Sequence, residues 1–561
     1  MRMGRPQAML AGIVLAVLAL VIALFIHLDP ELGSTPESAA RRAAESLQDG
    51  AVAHGPWTDP AKAALDYRQL RLPLRATGLG TPRVVDVLEV EETGPGSAVA
   101  TLSWGWLTSP DNPAGAPDWT YTTKMEVTKH RLSWRAVFEP SAVHPRLTPG
   151  ARFAVSVTPA ERGQILSGSG EALTSTDVVV EVGIEPSRVE DLDALLVELA
   201  RHLDVDVEAL RARVERAAEH DFVPVITLRE SDYLDAAAQI RLLPGTVFRK
   251  SERSIPFEQG FAPVLLGSVG EATAEEIHAD PARVHPGELV GRGGLQEHCE
   301  QELAGIDGYE LRVEPQAGGD EDSDEPVLTD SDEPVLTVDP RTGRPVRTTI
   351  DIDVQQAVDR IVADSPGPAG MVVVDSDTGH VFAVGSGGAG SDGFDRALLG
   401  DYTGGPGTGL AGTLAEVRGA SGGGALDQAV RDLGMAAVDI GLPAVAGSAS
   451  DEIAHSSPLT TAVAAASVHA GEVRVPQLVT EAGGREREPA AVDGGIAPEE
   501  AAALQDLAEG VFTAPGSGWV LGETAGLVFA LVIEGADESQ TAESQLHDLA
   551  EQVRRDLAAA R

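Results

Sequence analysis

Nineteen consecutive residues near the N-terminus, Ala8 to Ile26 (AMLAGIVLAVLALVIALFI), carry no charge. As a helix they span about 28 Å, close to the roughly 30 Å of a bilayer's hydrocarbon core. Arg2 and Arg5 precede the run, and Asp29, Glu31 and Glu37 follow it. That asymmetry predicts a cytoplasmic tail over 1–7, a membrane anchor over 8–28 and export of everything after it. A cleaved signal peptide is the competing reading, but the run is long for one and no A-x-A site follows promptly. The expected location is therefore the plasma membrane, single-pass, with the bulk of the chain extracytoplasmic.

The exported part is acidic. Across 561 residues, 87 Asp and Glu face 42 Lys and Arg, a formal charge of −45. Nucleic-acid binding needs clustered cations, so that class is excluded, as is an electrostatic hold on anionic lipid. Cys299 is the one cysteine, which excludes a disulfide framework and a Cys-based zinc site. No histidines fall in H-x-x-x-H spacing; His285, His298, His380, His455 and His469 are scattered. No cofactor or metal is expected.

Alternation and turn residues predict an α+β multidomain chain. A helix over Glu37–Gln48 precedes strands over Val84–Val90, Ala98–Trp106, Tyr121–Val127 and Leu132–Phe138, with turns at Thr93–Gly96 and Ser109–Pro117. These form a small domain over 35–148. A second region, 150–313, has helices predicted over Val189–Leu199, Val207–Glu219 and Leu295–Leu303, the last carrying Cys299. Its strands are predicted over Phe222–Leu228 and Thr246–Phe248.

Residues 314–346 read as an acidic linker. Within them Asp322–Thr329 (DSDEPVLT) repeats without change as Asp330–Thr337. The repeat lacks a glycine and contains Pro326 and Pro334, so it does not fit a calcium loop. The last domain, 347–561, has a hairpin over Met371–Val384 turning at Asp375–Gly379. Helices follow over Ala425–Leu433, Ser457–Ala470 and Ala542–Leu557, with a strand over Leu527–Ile533. The glycine content of 385–425 predicts a poorly ordered stretch there.

The order of these parts, and several short segments, resemble class B penicillin-binding proteins of high-GC Gram-positive bacteria. Arg162-Gly163-Gln164-Ile165 resembles the family's "RGxI" segment. Gly293–Gln296 through Leu303–Gly305 resembles its "GxxGLE" helix, and Thr348-Thr349-Ile350-Asp351 with Gln355 resembles "TTIDxxxQ". Val373–Gly379 resembles its "VxxDxxTG" hairpin. Phe394–Ala397 with Tyr402 resembles the approach to its nucleophile, and Ser457-Pro458-Leu459 its "SPLxMA" helix. The resemblance implies a nuclear-transport-factor-2-like cone domain, a pedestal or dimerisation domain, and a penicillin-binding transpeptidase domain of the serine β-lactamase-like fold. It implies peptidoglycan stem peptides or β-lactams as ligands, and cell-wall synthesis or division membrane proteins as partners.

The family's chemistry rests on S-x-x-K, S-x-N and K-T-G. None can be written here: no lysine follows Lys250 and no asparagine follows Asn112. Aligned to the family, Thr408 stands for the serine and Ala411 for the lysine. Glu523 and Thr524 stand for the K-T pair. A serine hydroxyl without a base is a weak nucleophile, and arginine cannot replace lysine as that base. The helical subdomain between Ala411 and Ala425 looks shortened. Gly419-Ala420-Ser421-Gly422-Gly423 fits G-x-S-x-G, but a nucleophile elbow needs a strand before it.

The expected function is a wall-synthesis homologue with a catalytically inactive transpeptidase domain, acting by binding or scaffolding. One alternative is an active D,D-transpeptidase with a rearranged site, using Thr408 or another hydroxyl with a histidine or carboxylate base. The other is an extracytoplasmic scaffold that binds a ligand in the curled sheet of 35–148.

Overall fold

The computed structural model describes residues 33–77, 79–108, 115–203, 205–258, 260–279, 284, 288–315, 333–436, 438–450, 453–492, 494–535 and 540–561. The predicted anchor lies outside them. Among the described residues no helix is long and apolar enough to cross a membrane. The chain divides into two compact units. One is built from the residues up to Pro159 and from Asp307–Arg341, the other from Ala160–Ile306 and Thr342–Arg561.

In the first unit, α1 (Pro36–Gln48) starts on a capping box in which Thr35 and Ser38 exchange hydrogen bonds. Its alanine stripe, Ala39, Ala40, Ala43 and Ala44, is buried with Leu47. α2 (Pro60–Arg71) follows. The strands β1 (Val84–Gly94), β2 (Ser97–Trp106), β3 (Trp119–His130) and β4 (Ser133–Ala136) form an antiparallel meander in chain order. Alternate residues of β2, namely Ala98, Ala100, Leu102 and Trp104, are buried, as a half-covered strand requires. Strand β5 (Ala151–Thr158) closes this part.

The chain then enters the second unit. There β6 (Thr174–Ile184), β7 (Val223–Arg229) and β8 (Thr246–Pro256) make a sheet with β6 central. Helices α3 (Leu192–His202), α4 (Val207–Val214) and α5 (Glu230–Ile240) share its core. α4 stops at Val214 rather than running to Glu219. The predicted Leu295–Leu303 helix is two short turns, Gly294–His298 and Glu300–Leu303, broken at Cys299. The Cys299 thiol is buried, and burial above all pushes its pKa up to about 11, so it is unreactive.

Back in the first unit, β9 (Gly308–Pro315) pairs with β5 along its whole length and with β10 (Leu336–Val338) on its other edge. Residues 151–159 and 307–313, expected in the pedestal region, lie in the first compact unit. The end of the acidic linker is a strand.

The C-terminal part of the second unit is built around a five-stranded antiparallel sheet. Its order is β12 (Val381–Gly387), β11 (Ala369–Asp375), β17 (Leu527–Glu534), β16 (Ser517–Thr524), β15 (Gly510–Ala514), the numbers following the chain. On one face α6 (Ile352–Ala363) and α11 (Gln540–Ala560) pack against Met371, Val373, Phe529 and Leu531. On the other, Val372, Val374, Val528 and Ala530 join a core shared with three helices: α7 (Pro406–Val417), α8 (Gly423–Asp432) and α9 (Pro458–Ala470). The short strands β13 (Tyr402–Thr403) and β14 (Ile453–Ser456) pair beside α7. The expected disorder over 385–425 is corrected here. Leu410, Ala411 and Leu414 form a buried stripe at helical spacing that holds α7 despite its glycines.

Candidate functional site

The N-terminus of α7 carries the residues aligned with the family's nucleophile. Gly405 is the N-cap and Pro406 the first helical residue, whose fixed φ suits that position. Thr408 lies in the first turn, half-buried. Its Oγ1 donates to the Gly405 carbonyl oxygen at 2.6 Å. One turn on, Ala411 is fully buried as part of the core stripe. Where acyl chemistry needs an amine beside the hydroxyl, there is a methyl group packed among apolar residues.

The wall facing this turn is not the one the alignment anticipated. A side chain at Gly405 would meet the Trp519 ring at 3.0 Å, so glycine lets the backbone run against the indole without displacing it. Tyr402 stands edge-on to Trp519, with ring centroids 5.3 Å apart. Trp519 lies near the start of β16, whereas Glu523 and Thr524 end that strand. They are roughly 13 Å further along at 3.3 Å per residue. Glu523 Oε1 accepts from Gly526 N at 2.8 Å and closes the β16–β17 turn, where Ala525 sits at φ 52°. The structure thus brings Thr408 and Ala411 together but not Glu523 and Thr524.

Three features escaped the sequence reading. Tyr402 Oη donates to Glu534 Oε1 at 3.0 Å, and Arg396 Nε donates to Glu534 Oε2 at 2.8 Å. Burial and the neighbouring Glu534 carboxylate hold the Tyr402 phenol well above its ordinary range, so it stays protonated. Among the described residues, the buried hydroxyls of Ser456 and Thr461 meet no hydrogen-bond partner. Both lie against Gly407, where a side chain would meet Thr461 Oγ1 at 2.6 Å. On the outer face of β13 and β14, His455 Nδ1 lies 3.1 Å from Asp401 Oδ1, and Thr403 is the cross-strand partner of His455. Direct partners in an antiparallel pair point the same way, so Asp401, Thr403 and His455 share one face. The last two features come from pairings between distant segments, for which the sequence offers no short motif.

Ser421 sits between α7 and α8 with no strand before it, so it is no nucleophile elbow. Among the described residues no group of His, Cys, Asp and Glu could hold a metal ion. A cavity of about 530 Å³ in the second unit is lined by Glu171, Arg347, Asp351, Asp353, His380 and Phe382 among others, and contains none of the aligned site residues.

Residues 157–329 match the family profile of the penicillin-binding protein dimerisation domain. This relates the chain to the penicillin-binding proteins of peptidoglycan synthesis through a segment that excludes α7. One similar solved structure is the complex between penicillin-binding protein PBP2 and MreC from Helicobacter pylori. The likeness has a TM-score of 0.44 and 13% identity, and covers 72% of this chain and 99% of that one. None of the curated proteins matches.

Proposed function

We propose that the protein is a class B penicillin-binding protein homologue, anchored in the plasma membrane by 8–28. Its transpeptidase-like domain no longer acylates and serves to bind or scaffold wall-synthesis components. The observation that carries this reading is the first turn of α7. The Thr408 hydroxyl donates its hydrogen bond to the Gly405 carbonyl oxygen, and the position one turn on is the buried Ala411. Hydroxyl nucleophiles in acyl transfer depend on a base within about 2.6–3.2 Å, and no side-chain base is hydrogen-bonded to Thr408 Oγ1 among the described residues. What remains there is a helix start packed against the buried Trp519 ring, without the base that acyl transfer requires. The ligands proposed are peptidoglycan stem peptides or β-lactams, and the partners are wall-synthesis or division membrane proteins.

A second reading rests on the Asp401–His455 pair. With Thr403 on the same face, it supplies an acid-oriented imidazole beside a hydroxyl. That would be a rearranged acyl-transfer site. One experiment separates the two. The full chain in detergent, shown folded by circular dichroism, is incubated with excess fluorescent penicillin and read by intact mass. The expected result is an unmodified mass. A stoichiometric adduct would overturn the proposal, and an adduct mapped to Thr403 would establish the second reading.

A further inference from the structure

The cavity of about 530 Å³ lies wholly within the second unit, and four short segments wall it. The loop after Leu166 supplies Glu171, and the strand Val346–Thr348 supplies Arg347. The first turn of α6 supplies Asp353, and the start of β12 brings His380 and Phe382. None of the residues around Thr408 takes part, so the loss of acylation has no bearing on it.

The wall carries charge without partners. Arg347 is half-buried, yet its guanidinium makes no hydrogen bond among the described residues; its ion-pair partner, Glu481 Oε2, stands 3.8 Å from Nε. Gly170 holds the fork in place: it stands at φ 91°, and a side chain there would meet Arg347 Nη1 at 3.0 Å. The Asp353 carboxylate and the His380 ring make no hydrogen bond or ion pair among the described residues. The Glu171 carboxylate meets only Ser169 Oγ there, at 3.4 Å. An arginine fork fixed on a cavity wall with its donors unused is set up for a carboxylate.

The balance of charge decides the class of ligand. With Asp351, three carboxylates face one guanidinium, and a cavity so lined draws cations. These acids do not form a group able to hold a metal ion. The start of α6 offers an anion little, because Asp351 Oδ1 already accepts from Asp353 N and Val354 N at 3.1 and 3.2 Å. An organic ammonium that carries its own carboxylate satisfies both signs at once. We propose that this cavity binds a small basic amino acid. Its carboxylate takes the Arg347 fork, its ammonium groups take Asp353 and Glu171, and its aliphatic chain lies along Phe382. The volume falls in the ordinary range for small-molecule sites, roughly 300–1,000 Å³.

Calorimetric titration of the full chain in detergent tests this with three probes: lysine, cadaverine and norleucine. Cadaverine is lysine without the carboxylate, and norleucine is lysine without the side-chain ammonium. Lysine is expected to bind saturably and about tenfold more tightly than either, the effect of one charge-assisted contact. Arg347→Gln should weaken lysine about tenfold and leave cadaverine no weaker, whereas Glu171→Gln/Asp353→Asn should weaken both about tenfold. The three-probe comparison in the wild-type chain stands whether or not a variant folds. Four outcomes would each overturn the proposal. They are no saturable heat with lysine up to about 20 mM, cadaverine binding as tightly as lysine, norleucine binding as tightly as lysine, and lysine binding that neither folded variant weakens.

Discussion

His144 is a buried imidazole in the first unit, ringed by Tyr121, Trp119 and Phe153 with centroids 4.8 to 6.0 Å away. Its Nδ1 accepts from Arg146 N at 3.3 Å. Burial, with help from the Arg146 charge, lowers its pKa to about 4. The unfolded chain binds the proton near 6.5, so between those values the unfolded state holds more protons than the folded one. Stability is therefore intact above about pH 6.5 and falls as the pH drops towards 4, by up to about 3 kcal/mol. His144→Phe should flatten that slope in urea unfolding of the first unit. An unchanged slope would show that the imidazole is not held neutral. Thr408 and Ala411 make the complementary point at this scale. The argument made at these two positions depends on residue identity alone: a methyl group cannot be a base in any fold. The Asp401–His455 pair was not legible, since nothing within reach of either residue along the chain announces the other.

Helices α7, α8 and α10 (Pro498–Leu504) share an apolar core, and one side chain also ties the three together at its edge. Arg418, just past α7, bonds Asp432 at the end of α8, and reaches Glu500 on α10 at 2.8 and 2.9 Å. Asp432 is buried, and Arg418 draws the Glu500 carboxyl down to about 2. Arg418→Ala strands a buried carboxylate, which should cost about 3 kcal/mol. Arg418→Lys should recover only part of this, because an ammonium cannot serve both acids with the guanidinium's fork. Thermal unfolding of the two variants checks the order; equal stability of wild type and Arg418→Ala would refute it. Elements of this kind divide the sequence reading. The strands over 84–138 were legible because one face is wet and alternation survives. The helix over 458–470 was legible through its Ser457 cap. β5 and β9 were missed because each is fixed by a partner far along the chain. α7 was missed because three glycines mask a stripe that only packing reveals.

At the scale of the molecule, the first unit is closed by a segment that returns after 147 residues spent in the other, so its sheet β10-β9-β5 forms only through long-range pairing. Its core, from Ala39 to Val313, is a separate cluster from the three cores of the second unit. Separate cores predict separate cooperative transitions. Calorimetry of the full chain should show two, and the two variants above should sort them. His144→Phe should move the pH response of one, and Arg418→Ala should lower the other. The net charge of −45 acts on both, because acidic self-repulsion opposes each compact state. Raising salt from 0.05 to 0.5 M shortens the screening length from over 10 Å to under 5 Å and should raise both midpoints. A single transition displaced equally by both substitutions would mean that the units fold as one body.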